Sequence, residues 1–529
     1  MFNPDNEVSS SQAYGSFENV KFLGQRETNA EDNKQRGVAW WSSEQKTAYP
    51  PGSSMSSCNV VNKAIGHSLD GVDSEEVADS SPPRTLGVFQ LAGLMYLVTA
   101  GGGYGLEPVV QAAGPLPALI GLLVVPWIWS APQALMTAEL STLYPRDGGF
   151  VVWVEEAFGN FWGFQVGWWN FFGSLVDNAL LPRLFSDYLK IFLGVDHLSL
   201  WLSWGGGIFL LMFCFLLNYR GLEIVGWASV IFVVIVAIPF AILTLVGLPQ
   251  SDPKIWFQWR GDRDTDWSLF WATLLWNLCG FDSAGTCAGE VKNASRTYPA
   301  AILLSCALGL ASFLLPVAAS VTFAQDWDEW NDAFWPLVAN RVVGGTWCGT
   351  LITLGGLASA AGMLNSLMAT SSRALYGMAT TQLLPPELAV LHRIYKTPVR
   401  CIALVAIGTA LFSLLSFEKL VEIDSVLYCI KEMLEFLALI RLRYKYPYIS
   451  RPFAIPGGFI GVWLCCSSGI CCCVLMICLS GLAAFLSAMS MILIGFILYP
   501  LACWWLAKHQ QAQMKKSSFT VPYDSSDRL

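Results

Sequence analysis

Residues 99–105 read Thr-Ala-Gly-Gly-Gly-Tyr-Gly, and residues 279–286 read Cys-Gly-Phe-Asp-Ser-Ala-Gly-Thr. Each stretch interrupts a run of apolar residues long enough to span a bilayer, about 20 residues. Glycine clusters of this kind break a helix, and a broken helix inside a membrane frees backbone polar groups. Such backbone is tolerated only where protein buries it or water reaches it. The breaks lie about 180 residues apart, in the first and sixth apolar spans. The second and seventh spans, and the third and eighth, keep a similar offset. Broken helices at matching positions in two halves point to a five-plus-five inverted repeat, the architecture of many secondary transporters. One glycine cluster alone would read as ordinary close helix packing.

The rest of the chain agrees with a membrane protein. Of 529 residues, 54% are apolar and 13% charged, about half the charge of a soluble domain. A soluble enzyme, a secreted disulfide scaffold and a nucleic-acid binder are disfavoured. About twelve helices are expected in an all-α fold. Their cores are 86–111, 115–139, 161–190, 199–218, 222–248, 268–290, 298–323, 347–379, 400–417, 420–442, 459–481 and 483–507. The repeats would cover about 86–248 and 268–442, with 459–507 added. Residues 1–85 are polar and read as a disordered cytoplasmic tail. Residues 508–529 read as a second cytoplasmic tail. Lys and Arg concentrate in the loops that would be inner if both termini are cytoplasmic.

Fifteen cysteines fall mostly inside apolar runs, so they read as packing residues. The dense group Cys465, Cys466, Cys471, Cys472, Cys473 and Cys478 has no histidine beside it, and no metal is expected. The four histidines lie in tails or loops. No catalytic set or cofactor motif emerges.

The intramembrane charged residues need a reason, since each is costly there. Asp282 lies in the second break and can hold a substrate ammonium or a proton. Capping the half-helix that starts at Ser283 is the plainer role, and both can hold. Phe281 could add a cation–π face. Asp177 is mid-way along the third span, and Glu107 opens the second half of the first. Glu139 and Glu290 read as anchors near the inner surface. Glu422 and Asp424 fall near the outer end of span ten, where solvent could meet them. Lys431 and Glu435 are four apart on one helix face and can neutralise each other. In an inverted repeat, span ten runs beside the broken helices, so Lys431 can also reach Asp282 and compete there with a substrate cation. Arg183 is a further cation, with Asp187 one turn on.

At these residues the chain resembles the amino acid/polyamine/organocation superfamily, and within it the polyamine–proton symporters of plants and protozoa. The likeness runs from about residue 86 to residue 500. It is carried by Gly102-Gly103-Tyr104-Gly105-Leu106-Glu107, Thr137-Ala138-Glu139, Gly148-Gly149-Phe150 and Asp177-Asn178-Ala179-Leu180. Trp276-Asn277-Leu278, Asp282-Ser283, Ala288-Gly289-Glu290, Ser372-Arg373-Ala374-Leu375-Tyr376-Gly377, Leu427-Tyr428-Cys429 and Arg451-Pro452-Phe453 continue it. The resemblance implies substrate at the two breaks; read with the residues there and facing them, the expected binding residues are Gly101, Gly102, Gly103, Tyr104, Asp177, Phe281, Asp282, Ser283 and Tyr428. Glu107, Asp282, Lys431 and Glu435 would serve proton coupling and gating. The plant pattern has Asn, Tyr and Trp where this chain has Cys279, Gly280 and Phe281, and a small residue at Lys431. A polyamine or other organic cation, carried with protons across the plasma membrane, is the leading expectation. An amino acid permease and a non-transporting nutrient sensor are the alternatives.

Overall fold

The computed structural model describes residues 82–519, except 196, 262–264, 332 and 415–416; the side chains of 417–423, 510 and 512–519 are also left aside. Residues 1–81 of the N-terminal tail, the Glu422 side chain and residues 520–529 therefore lie outside the described residues. Among the described residues the fold is all-helical, with one β-bridge that pairs Leu86 with Val291. The helices are α1 (Val88–Thr99), α2 (Glu107–Ala113), α3 (Pro115–Val125), α4 (Ala131–Leu143), α5 (Phe150–Phe158), α6 (Asn160–Leu193), α7 (Leu200–Arg220) and α8 (Leu222–Gly247). After a loop come α9 (Trp267–Trp276), the 3-10 segment Phe281–Glu290, α10 (Ala294–Ser320), α11 (Trp335–Val343) and α12 (Trp347–Thr380). The chain ends in α13 (Val399–Phe412), α14 (Phe417–Lys445), α15 (Gly458–Leu479) and α16 (Leu482–Phe519). The last helix thus runs past Lys508, where the sequence reading had placed a tail.

Among the described residues, seven helices are long and apolar enough to cross a membrane, α3 and α4 counting as one through the π turn Pro126–Ser130. The shortfall from twelve has local causes. The first and sixth spans are each split into pieces too short to count. The helix α13 has 14 residues. Both α6 and α14 are long enough, but α6 is diluted by Asn, Gln, Gly and Trp and α14 carries too many charges. Large apolar side chains such as Leu200, Trp201, Phe209, Leu245, Leu303 and Ile497 are exposed on the outer helix faces. That surface would aggregate in water and suits contact with lipid tails. All fourteen described cysteines are free thiols. Cys466, for example, donates to the Phe436 carbonyl across the α14–α15 contact, at 3.6 Å.

The two breaks are where the backbone leaves helical geometry. Gly101, Gly102 and Gly105 take φ of +55°, +99° and +83°, and Gly280 takes +99°, conformations that suit glycine. Side chains from other helices satisfy the freed groups. Ser359 of α12 donates to the Gly101 carbonyl, and Trp335 Nε1 of α11 to the Gly103 carbonyl at 2.7 Å. Ser130 Oγ donates to the Leu278 carbonyl at 2.7 Å, and the Gly280 N–H donates to Tyr428 Oη at 3.0 Å. The breaks also hold each other, for Asn277 Nδ2 donates to the Gly105 carbonyl at 3.0 Å. At the far ends of α1 and the 3-10 segment the chains meet again. Thr85 and Leu86 donate to the Glu290 carbonyl at 2.8 and 3.0 Å, and Lys292 donates to the Leu86 carbonyl at 2.9 Å.

Glycines set how closely the remaining layers approach. A Cβ on Gly377 of α12 would stand 2.2 Å from the Gly148 Cα, and backbone cannot give way as a flexible side chain can. Replacing Gly377 with Ala should lower the stability of the purified protein by about 1–3 kcal/mol, as overpacking does. Gly309 in α10 has open space at its Cβ, so Gly309→Ala should melt no lower than wild type. Thermal unfolding of both variants in detergent checks this. Equal melting of Gly377→Ala and wild type would show that the two backbones are not in contact.

Candidate functional site

The second break ends in a 3-10 helix, whose side chains repeat every three residues. That period sorts the segment into faces. Gly280, Ser283 and Thr286 line a cavity of about 130 Å³. Phe281, Ala284 and Cys287 turn into a packed apolar cluster with Leu91, Leu94 and Tyr298. Asp282 faces α14 and is fully buried.

Asp282 does not cap the half-helix. Its Oδ1 accepts from Tyr428 Oη at 3.1 Å, and its Oδ2 forms an ion pair with the Lys431 ammonium. Lys431 Nζ also stands 3.4 Å from Glu435 Oε1, the partner one turn along its own helix. Two aromatic rings close the cage, Phe150 at 4.4 Å and Tyr428 at 4.7 Å from the nitrogen to the ring centres. A cation so placed is attracted by the ring faces. Carboxylate oxygens of Asp282, Glu432 and Glu435 lie within 4.8 Å of one another. Glu432 is fully buried and neither of its oxygens has a hydrogen-bond partner. Three acids therefore surround one ammonium. The donor set would suit a cation, and Lys431 already supplies one.

The cavity lies between this group and α6. Its walls include Val98, Thr99, Ala100 and Tyr104 from the first break, and Lys431, Tyr428 and Asp424 from α14. From α6 come Trp169, Asn170, Gly173, Ser174 and Asp177, and from α12 Thr370 and Ser371. The Asp177 and Asp424 side chains lie within hydrogen-bond distance of each other. Gly173 makes the room, because a Cβ there would stand 2.2 Å from Asp424 Oδ1.

Of the residues singled out in the sequence, Tyr104, Asp177, Ser283, Tyr428 and Lys431 line the cavity. Tyr104 is fixed by donating to the Ile352 carbonyl at 2.6 Å. Asp282 and Glu435 lie behind Lys431. Gly101, Gly102 and Gly103 shape the break without lining the cavity, and Phe281 packs away from it. Glu107 works locally, its Oε2 accepting the Gly105 N–H at 2.8 Å. Asp424 is buried at the cavity wall and not solvated at a helix end. Arg183 and Asp187 are exposed on α6, so Arg183 adds no charge to the cavity. The sequence reading missed Phe150, Asn170 and Ser174. The spacing of Asn170, Ser174 and Asp177 is one face of a helix, a signal that was there to find.

Past Thr286 the 3-10 segment packs into a closed layer. The Gly148 N–H donates to the Thr286 carbonyl at 2.9 Å, and the Gly289 N–H to Asp147 Oδ1 at 2.9 Å. Glu290 pairs with buried Arg373 at 2.9 Å. Glu139 takes Arg443 at 2.5 Å, Arg451 at 3.1 Å and the Ile455 N–H at 2.9 Å. Both glutamates are thus anchors, as read from the sequence, with partners that lie far along the chain.

Comparison with known proteins gives the same class. The model of the amino acid permease family matches residues 86–486. A probable polyamine transporter of Arabidopsis thaliana is 38% identical over 459 residues, 85% of this chain and 91% of the relative. A second polyamine transporter of that plant is 38% identical over 443 residues, 82% and 89% of the two chains. A polyamine transporter of Oryza sativa subsp. japonica is 39% identical over 389 residues, 72% and 71%. The chain belongs to the amino acid permease family. It is a multi-pass membrane transporter, not an enzyme.

Asp147, in the loop between α4 and α5, gives the closed layer a pH dependence. Burial first, and then the Glu290 carboxylate, push its carboxyl up to about 8 from an ordinary 3.8. The folded chain keeps a proton there that the unfolded chain loses near pH 4. Stability from this group therefore falls as pH climbs from about 4 to about 8, by at most about 1.4 kcal/mol per pH unit. Asp147→Asn keeps the oxygen that Gly289 needs and cannot ionise. Its melting temperature relative to wild type should rise steadily between pH 5 and pH 8. A constant difference across that range would remove Asp147 as the cause.

Proposed function

We propose that this member of the amino acid permease family is a secondary active importer of organic cations, with putrescine and spermidine foremost. The observation that carries the reading is the cavity wall, where the neighbouring acids Asp177 and Asp424 face a caged ammonium. A cavity that builds an ammonium cage of two carboxylates and two rings has the chemistry to receive another. The relatives' names, polyamine transporters at 38–39% identity, support the same substrate class.

In this reading Asp177 and Asp424 take the first substrate ammonium. Asp282 takes an ammonium when Lys431 yields it. Tyr104, Ser283 and Tyr428 bound the site, while Gly101, Gly102 and Gly103 give the break its shape. Phe281 supports Asp282 from the packed side. Protons travel with the substrate. Asp282, Glu432 and Glu435 outnumber the one cation among them, so the surplus acids are proton carriers, and Glu107 gates the first break. An inside-negative potential favours entry of a cation by about 2.3 kcal/mol per charge per 100 mV.

The transporter domain is 86–507, with twelve spans when the broken and charged helices are included. Residues 86–248 and 268–442 form the inverted repeats, α15 and α16 add to them, both termini are cytoplasmic, and the plasma membrane is the site of action. A second reading, an amino acid permease, draws on Lys431 at the cavity wall. Its ammonium, if turned outward, would meet a substrate carboxylate.

Uptake of radiolabelled putrescine into liposomes holding the purified protein separates the readings. Saturable uptake is expected, faster under an inward proton gradient and reduced at least tenfold by Asp282→Asn. Leucine or arginine uptake with no putrescine uptake would replace the cation reading with the permease. A proton gradient without effect would remove the coupling.

A further inference from the structure

The cage around Lys431 has a chemistry of its own. A lysine side chain ends in four methylenes and an ammonium, the same aminobutyl group that forms putrescine and one arm of spermidine. Here that group is held as a ligand would be held. Its nitrogen sits on Asp282, 3.4 Å from Glu435 and under the rings of Phe150 and Tyr428. The side chain is 3% exposed and forms part of the cavity wall. A second resting place is ready. Glu432 is buried, its oxygens have no partner, and it lies with Glu435 in the same group of acids.

We propose that Lys431 is a built-in occupant of an ammonium subsite, and that its displacement selects linear dications. The proposal rests on the cation reading above and deepens it. A single ammonium can settle between Asp177 and Asp424, and then nothing drives Lys431 off Asp282. Were Lys431 to leave unaided, Asp282 would remain as a buried carboxylate without a counter-charge. A linear diamine removes that obstacle. One end takes the Asp177–Asp424 pair, and the other replaces Lys431 on Asp282 with an identical group. Lys431 then turns to Glu432 and Glu435. A zwitterionic amino acid brings a carboxylate to the same place and is rejected. Lys431 is thus a specificity residue: it makes the second positive charge of the substrate a condition of full binding.

Lys431→Ala empties the subsite from Cγ to the nitrogen, the volume and charge of n-propylammonium. Equilibrium binding of labelled putrescine to the purified full-length protein should become about tenfold tighter in this variant, since no tethered cation competes. n-Propylammonium should then compete with putrescine and raise the melting temperature of Lys431→Ala. At the same concentration it should do neither to wild type. Lys431→Met refills the stem without the charge, so its putrescine affinity should fall below that of Lys431→Ala. Folding of Lys431→Ala only in n-propylammonium or putrescine would support the subsite equally. The proposal is overturned if the folded variant binds putrescine no tighter than wild type and ignores n-propylammonium. It is also overturned if neither amine restores folding. A Lys431→Ala protein stabilised by n-propylammonium, in liposomes that carry no cation, would keep the subsite and sink the transport reading instead.

Discussion

Backbone that leaves a helix inside a bilayer has no water to turn to, and the rest of this structure depends on how that demand is met. The breaks at 100–106 and 277–280 leave carbonyls and N–H groups free of helical partners. Ser359, Trp335, Ser130, Asn277 and Tyr428 satisfy them, from five places in the chain. Each of these bonds ties a broken segment to a helix or to the other break. The breaks are therefore held in a fixed frame and are not loose joints. Irregular backbone, polar side chains and a cavity occur together because each needs the others. Take away the donors and the break would have to close into helix, and the cavity would go with it.

The charged group beside the breaks follows a related logic. A buried ion pair seldom adds stability over apolar packing, since desolvation cancels most of the attraction. Lys431 and Asp282 are then poor choices for holding helices together. Three acids around one ammonium are poorer still, because close like charges resist ionisation together. Stability alone gives no reason for such an arrangement, and the proposed exchange of cations does. The cavity on one side of Lys431 and the unpartnered Glu432 on the other give its ammonium two directions of exit. Tyr428 links the two themes. Its hydroxyl accepts from the Gly280 N–H and donates to Asp282, so one side chain completes the break and orients the acid.

Much of this was readable in the sequence, for reasons that can be named. Glycine runs inside apolar spans show breaks directly, and an acid within such a span stands out by its cost. That Lys431 could reach Asp282 followed from placing span ten beside the breaks. The misreadings share a cause, which is direction around a helix axis. The sequence places Phe281 beside Asp282 in the break, as a cation–π face to the cavity. The segment is 3-10, so its faces advance by thirds of a circle, and Phe281 joins Ala284 and Cys287 in the packed cluster. Asp424 looked like a residue at a solvated end because its neighbour across the gap was unknown. Gly173 on α6 admits its carboxylate, and no local pattern announces a partner about 250 residues away. The exposed position of Arg183 depended likewise on which face α6 turns to the bundle. Charge and glycine content are local properties, while facing is a property of the assembled helices.

The 3-10 segment also joins the site to the closed layer. Its first turns line the cavity and carry Asp282. Its last turn is gripped by Asp147, by the Glu290–Arg373 pair and by the bridge to Leu86. Only ten residues separate the two ends, about 20 Å at the 3-10 rise. Any tilt that parts Gly148 and Gly149 from the 285–289 turn also shifts Asp282 against Tyr428 and Lys431. In the proposed transport reading this one segment connects what Asp282 holds to the packed layer, and the Leu86–Val291 bridge ties the same layer to α1.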